Sequence, residues 1–211
     1  MQRFVLEQNV LRFRSMLLEA SEESDRTVLQ SLLRSTQREL ALYVAEKDGA
    51  TPPGGAFRFP AHAPQSFAQT IQGSSNLYML IDPRPGLRIV EVNAAYAEAT
   101  LVDPARVGGQ KLFQVFPDNP EDPAADGVSN LHRSLQHATR SGLTHEMPLQ
   151  RYDVIGPDGN FVVKYWRCTN TPVFDEDGRL RFLLHHAEDV TREIVAIGAP
   201  NAALAVNMRP R

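Results

Sequence analysis

The sequence predicts an α+β protein. One antiparallel sheet of five strands carries short helices over one face, and a helical N-terminal segment precedes it. Three observations predict this. No Pro or Gly occurs before Gly49, and the apolar residues there recur at helical spacing. Seven of the sixteen positions 49–64 are Gly or Pro, which no regular helix or strand tolerates. Beyond them come two short apolar runs, a group of short helices and a three-strand meander, the order of a mixed layer rather than of parallel βαβ units.

Val5, Leu6, Val10, Leu11, Phe13, Met16, Leu17 and Leu18 fall mostly at steps of three, four and seven. The polar stretch Ser21 to Asp25 breaks the run, and Val28, Leu29, Leu32, Leu33, Leu40, Tyr43 and Val44 continue it. Residues 1–48 therefore read as a helical hairpin or one bent helix whose apolar stripe must be covered. Leu29, Leu32, Leu33, Leu40 and Tyr43 are its candidate dimerisation or docking residues, toward a second copy, the main domain or another protein. Residues 49–64 read as a linker, in which Phe57 and Phe59 alternate around Arg58.

Residues 65–191 form the predicted main domain. Ser66 to Gln72 suits a short helix. Leu77 to Ile81 is a strand stopped by Asp82-Pro83-Arg84-Pro85-Gly86, and Leu87 to Val92 is its partner, with Leu87, Ile89 and Glu91 on one face. Asn93 is a predicted N-cap for a helix over Ala94 to Leu101. Asp103-Pro104 starts another helical turn that Gly108-Gly109 ends. Lys111 to Phe116 is short and apolar, and a proline-rich loop follows to Gly127. Val128 to Arg140 is a helix with Val128, Leu131, Leu135 and Ala138 on one face, stopped by Gly142. Met147 to Ile155, Phe161 to Phe174 and Leu180 to Val190 are three strands separated by Pro-Asp-Gly and Asp-Gly turns. Residues 192–211 read as a tail, partly helical or disordered.

Composition narrows the function. Lys plus Arg total 22 against 25 Asp plus Glu, a net charge of −3, so nucleic acid is not an expected partner. Cys168 is the single cysteine, which excludes an internal disulfide and a multi-cysteine zinc site. No signal peptide or bilayer-length apolar run is evident, so the expected setting is the cytoplasm, away from membranes. The six histidines (His62, His132, His137, His145, His185 and His186) include no His-Glu-x-x-His and no i, i+4 pair, so no metal site is expected. Nucleophile-elbow, dinucleotide and phosphate-loop motifs are absent, and no catalytic residue is assigned. The acidic loop of Asp118, Glu121, Asp122 and Asp126 lacks the glycine and terminal glutamate of a calcium loop.

The element order, the Asn93 helix start, the Asp158-Gly159 turn, Asn170-Thr171-Pro172-Val173 before Asp175-Glu176-Asp177-Gly178-Arg179, and the closing Asp189-Val190-Thr191 together resemble a PAS domain. The resemblance covers about Gln65 to Thr191 and is greatest to sensor segments ahead of bacterial histidine kinases. It implies a curved sheet whose concave face forms a pocket under the short helices, an outer face that docks helices or a twin, and a role in sensing or assembly. Only twenty residues follow Thr191, too few for a kinase, so output through a homodimer or a partner such as a histidine kinase is expected.

Strand alternation sorts the candidate pocket. Trp166, Cys168 and Asn170 share one face, Leu183 and His185 another, and Tyr152 and Val154 a third. The resemblance turns these sets inward, where Tyr152, Trp166, Cys168, Asn170 and His185 are polar handles in an apolar pocket suited to a small molecule. A core in which these groups satisfy one another is the competing reading. The cofactor is left open. Haem-binding relatives take an axial histidine from a helix in the region of His132, the one haem-ligand candidate. Photosensing relatives need a cysteine among the helices, where this chain has Val107-Gly108-Gly109-Gln110. The resemblance also places Asp189 and Thr191 where sheet meets exit helix, a hinge for signals.

Overall fold

The computed structural model describes residues 1–50 and 65–198, with the backbone alone at 65–68. The linker reading, including Phe57 and Phe59, and the end of the tail lie outside the described residues.

Helices α1 (Gln2–Glu19) and α2 (Glu23–Asp48) form an antiparallel hairpin. Arg3 at the start of α1 lies 2.7 Å from Asp48 at the end of α2. Leu6 and Val10 of α1 are buried, and α1 packs extensively on α2. The second half of α2 then packs on the main domain. Ala41, Val44 and Ala45 are buried, and Ala41, Ala45 and Ala50 join the central core.

Gly49 ends α2 with φ +65°, and a Cβ there would lie 2.2 Å from the Pro83 carbonyl oxygen. Only glycine allows that approach. Ala50 N–H donates to Pro83 O at 2.8 Å, and Gly86 N–H donates to Ala45 O at 2.7 Å. The helix end is thus stitched to the turn between the first two strands.

Helix α3 (Gln65–Gln72) leads into β1 (Leu77–Asp82) and β2 (Arg88–Val92). Four helices follow: α4 (Ala94–Thr100), α5 (Pro104–Val107), α6 (Leu112–Val115) and α7 (Gly127–Ser141). Asn93 caps α4 by accepting from Tyr96 N–H, and its amide also donates to Ile71 O, Ser74 O and Asn76 O. One buried side chain thereby joins α3, the β1 entry and α4. The expected face of α7, with Val128, Leu131, Leu135 and Ala138, is buried.

The meander comprises β3 (His145–Glu146), β4 (Gln150–Arg151), β5 (Val154–Ile155), β6 (Phe161–Val162), β7 (Tyr165–Phe174) and β8 (Leu180–Asp189). The main sheet runs β2-β1-β8-β7-β3, and β4 also pairs with β7. It therefore fills five antiparallel positions. The expected strand over Met147 to Ile155 is instead two short pieces, β4 and β5, and Pro148, which cannot donate to a ladder, separates β4 from β3. Its last piece leaves the sheet as the β5–β6 hairpin.

In β2 the expected alternation also fails. A register shift between Leu80 and Ile81 places both Ile89 and Val92 inside, and Leu87 sits in the turn with φ +41°. Helix α8 (Thr191–Ala196) follows the sheet and buries Ile194 beside Val190.

Candidate functional site

The inner face of the sheet and the helices above it enclose a cavity of about 40 Å³. Of the seven pocket residues expected from alternation, Tyr152, Val154, Trp166, Cys168 and His185 line it. Asn170 and Leu183 do not. Both face inward as expected and are fully buried, but Leu183 is core packing and Asn170 lies behind His185.

Two expected handles are occupied by the fold itself. Tyr152 Oη donates to Phe116 O at 2.5 Å, and Trp166 Nε1 donates to Tyr152 O at 2.8 Å. Burial pushes the Cys168 thiol up to about 12, so it stays protonated and unreactive near neutral pH.

His185 is different. Its Nδ1 lies 2.8 Å from Asn170 Oδ1. That carbonyl is an acceptor, so Nδ1 carries the proton and Nε2 keeps its lone pair. Burial, then the neighbouring His186, brings the His185 pKa down to about 3, so the ring is neutral. No described residue bonds Nε2.

Tyr96 stands edge-on to this ring, with centroids 6.0 Å apart, and also lines the cavity. Its hydroxyl bonds no described residue, and burial raises its pKa well above the usual value. Tyr96 Oη and His185 Nε2 are thus a donor and an acceptor without partners among the described residues, on a largely apolar wall that also includes Thr100, Gln150 and Asp153.

Tyr96 was missed by the sequence reading, as were Thr100, Phe116, Leu131, Met147 and Gln150, which also line the cavity. Alternation sorts strands and is silent about a seven-residue helix such as α4. The Asn93 cap was the available signal, since it fixes which way Tyr96 faces.

A hydrogen-bonded chain runs from the cavity outward. His185 donates to Asn170, Asn170 Nδ2 donates to Ser134 Oγ at 2.7 Å, and Ser134 Oγ lies 2.7 Å from His145 Nδ1. His145 is half-buried and stacks near His137, with ring centroids 4.4 Å apart. Burial and His137 both lower its pKa.

His132 is a correction. It does not line the cavity. Its Nε2 lies 3.3 Å from Gly49 O and its ring meets Phe113 edge-on, so it faces the α2 docking site. Burial brings its pKa down to about 4. It cannot serve as axial ligand to a group in the cavity. At about 40 Å³ the cavity is small for a large cofactor. Among the described residues no cluster of three or more His, Cys, Asp or Glu is placed to hold a metal.

At the sheet exit, Asp189 Oδ2 accepts from Lys164 Nζ at 2.6 Å and Oδ1 accepts from Thr191 N–H at 3.0 Å. Partial burial opposes the Asp189 charge, but these bonds together outweigh it and hold the carboxyl below its usual range. Thr191 Oγ1 accepts from Tyr165 N–H at 2.9 Å, tying the first turn of α8 to the start of β7.

On the hairpin, Leu29 is buried and Leu33, Leu40 and Tyr43 are half-buried within the chain, which leaves Leu32 as the exposed member of that set. No helix among the described residues is long and apolar enough to cross a membrane.

Among solved structures, the chain is similar to a PAS domain from Colwellia psychrerythraea, at 13% identity over 61% of this chain and 97% of that one, with TM-score 0.45. The PAS domain of nitrogen regulation protein NR(II) from Vibrio parahaemolyticus matches at 18% identity over 60% of this chain and 99% of that one, with TM-score 0.40. An RNA-binding light-oxygen-voltage receptor matches at 18% identity over 68% of this chain, which spans 38% of that receptor, with TM-score 0.45. A comparison with curated proteins returns no match. The family model described as PAS fold matches residues 77–194, more than half of the sequence, and the chain belongs to that family.

Proposed function

We propose that this protein is a non-catalytic PAS sensory module. It takes a small uncharged molecule into its cavity and signals through a homodimer to a partner protein such as a histidine kinase. The observation that carries the ligand reading is the pairing of Tyr96 Oη, a donor, with His185 Nε2, an acceptor, on a largely apolar wall. Neither group has a partner among the described residues, so a guest or water can take up their hydrogen bonds. The volume of about 40 Å³ limits that guest to a few heavy atoms. Burying a charge beside a neutral ring is costly, which favours an uncharged guest.

The small volume favours a second reading, in which water fills the cavity and the domain only assembles partners. Titration with acetamide and with propanol, followed by amide chemical shifts, separates the two. Saturable shifts centred on α4 and β8, abolished in Tyr96→Phe, support a ligand site. Absence of any saturable shift supports the assembly module.

A further inference from the structure

Helix α1 carries two apolar seams on opposite sides. Leu6, Val10, Phe13, Leu17 and Ala20 follow steps of four and three, and each is buried or half-buried in the hairpin. A second seam, Met1, Phe4, Gln8, Leu11, Ser15 and Leu18, follows steps of three and four. It lies about 200° around the helix from the first. Phe4, Leu11 and Leu18 are 63%, 58% and 89% exposed. Three large apolar groups repeating every seven residues on the outermost helix are not ordinary surface.

The charges flanking the second seam name its occupant. With Phe4, Leu11 and Leu18 at d and Gln8 and Ser15 at a, Glu7 and Arg14 fall at g while Arg12 and Glu19 fall at e. In a parallel pair of identical helices each g residue meets the e residue five positions on in its partner. Glu7 then meets Arg12, and Arg14 meets Glu19, each twice by symmetry. Both pairings are opposite in charge. Arg12, Arg14 and Glu19 have no ion-pair partner among the described residues, and the exposed Glu7 contact with Arg3 can exchange.

We propose that α1 is the dimer contact, a parallel two-stranded coiled coil with α1 of a second copy, in which Gln8 meets Gln8 and sets the register. Helix α2, on the other side of α1, couples that contact to the turn at Pro83 and to α7. This inference rests on the homodimer reading above and specifies its surface.

The test uses the full chain in analytical ultracentrifugation across micromolar concentrations. Dimeric wild type with monomeric Leu11→Asp/Leu18→Asp of unchanged circular dichroism supports the inference. Arg12→Glu should weaken the dimer about tenfold, and adding Glu7→Arg should restore it. Gln8→Cys should give a rapid intermolecular disulfide under mild oxidation. A monomeric wild type overturns both this inference and the homodimer reading. A dimer that survives Leu11→Asp/Leu18→Asp overturns the α1 surface alone. Loss of dimer in that variant without Gln8→Cys cross-linking, or without charge-swap rescue, overturns the parallel register.

Discussion

Asn170 sets the tautomer of His185: its Oδ1 takes the Nδ1 proton at 2.8 Å and leaves Nε2 without a partner among the described residues. Its Nδ2 is spent on Ser134 Oγ. Both side chains are buried, so each bond stands in for water that cannot reach them.

Asn170→Ala should therefore cost about 2–4 kcal/mol, because it strands His185 Nδ1 and removes a donor from Ser134. Urea denaturation should show a lower midpoint with an unchanged slope. A loss below about 1 kcal/mol, the net worth of one ordinary hydrogen bond, would show that the network contributes little.

Stability should fall as pH drops below about 6.5, the ordinary histidine value. His132 and His185 stay neutral in the fold down to about 4 and about 3, both held there chiefly by burial. The unfolded chain takes up these two protons first. The contribution is complete above the unfolded pKa and is lost as pH falls toward the folded values, at about 1.4 kcal/mol per unit per group. Asp118, raised by burial, works in the opposite direction at lower pH. Denaturation at pH 7.5 and 5.5 should differ by about 2–3 kcal/mol, and His132→Gln should roughly halve that difference. Equal stability at the two pH values contradicts buried neutral rings.

The Asp118 carboxylate is nearly inaccessible, and Arg38 of α2 bonds it at 2.7 Å. Arg38 also donates to Ala125 O at 2.8 Å, and Asp118 accepts from Val128 N–H at 2.9 Å. Arg38→Ala should cost about 3 kcal/mol at pH 7, since it leaves a buried carboxylate without its cation. The deficit should shrink as the pH is lowered toward 5, because burial already raises the Asp118 carboxyl and removal of its cation favours protonation further. Thermal melts of the variant at both pH values check the sign.

Gly49→Ala combines a left-handed backbone with a Cβ driven into the Pro83 carbonyl. Release of the hairpin from the β1–β2 turn should follow, at a cost of about 3 kcal/mol. Limited trypsin digestion should then cut α2 at Arg34, Arg38 or Lys47 while the sheet survives. Simultaneous loss of both parts would mean that the sheet depends on α2 to fold.

Much of this architecture is local and so was readable from the sequence. Asn93, Gly142 and the Asp-Gly turns act within a few residues of themselves. Alternation in β7 and β8 grouped Trp166, Cys168 and Asn170 on one face and Leu183 with His185 on one face, and the family resemblance picked those faces as the inner ones. Pairings over long separations were not legible. Nothing near Gly49 announces Pro83, and nothing in β8 says that His185 meets the Asn170 amide of β7. The seam of α1 was visible as spacing, but two apolar faces look like one until α2 covers one of them. Sequence alone determined which residues share a face, through backbone periodicity and caps. Only the tertiary structure decided which inward groups satisfy one another and which, like Tyr96 Oη and His185 Nε2, are left without a partner, because that depends on distances between elements that no local rule constrains.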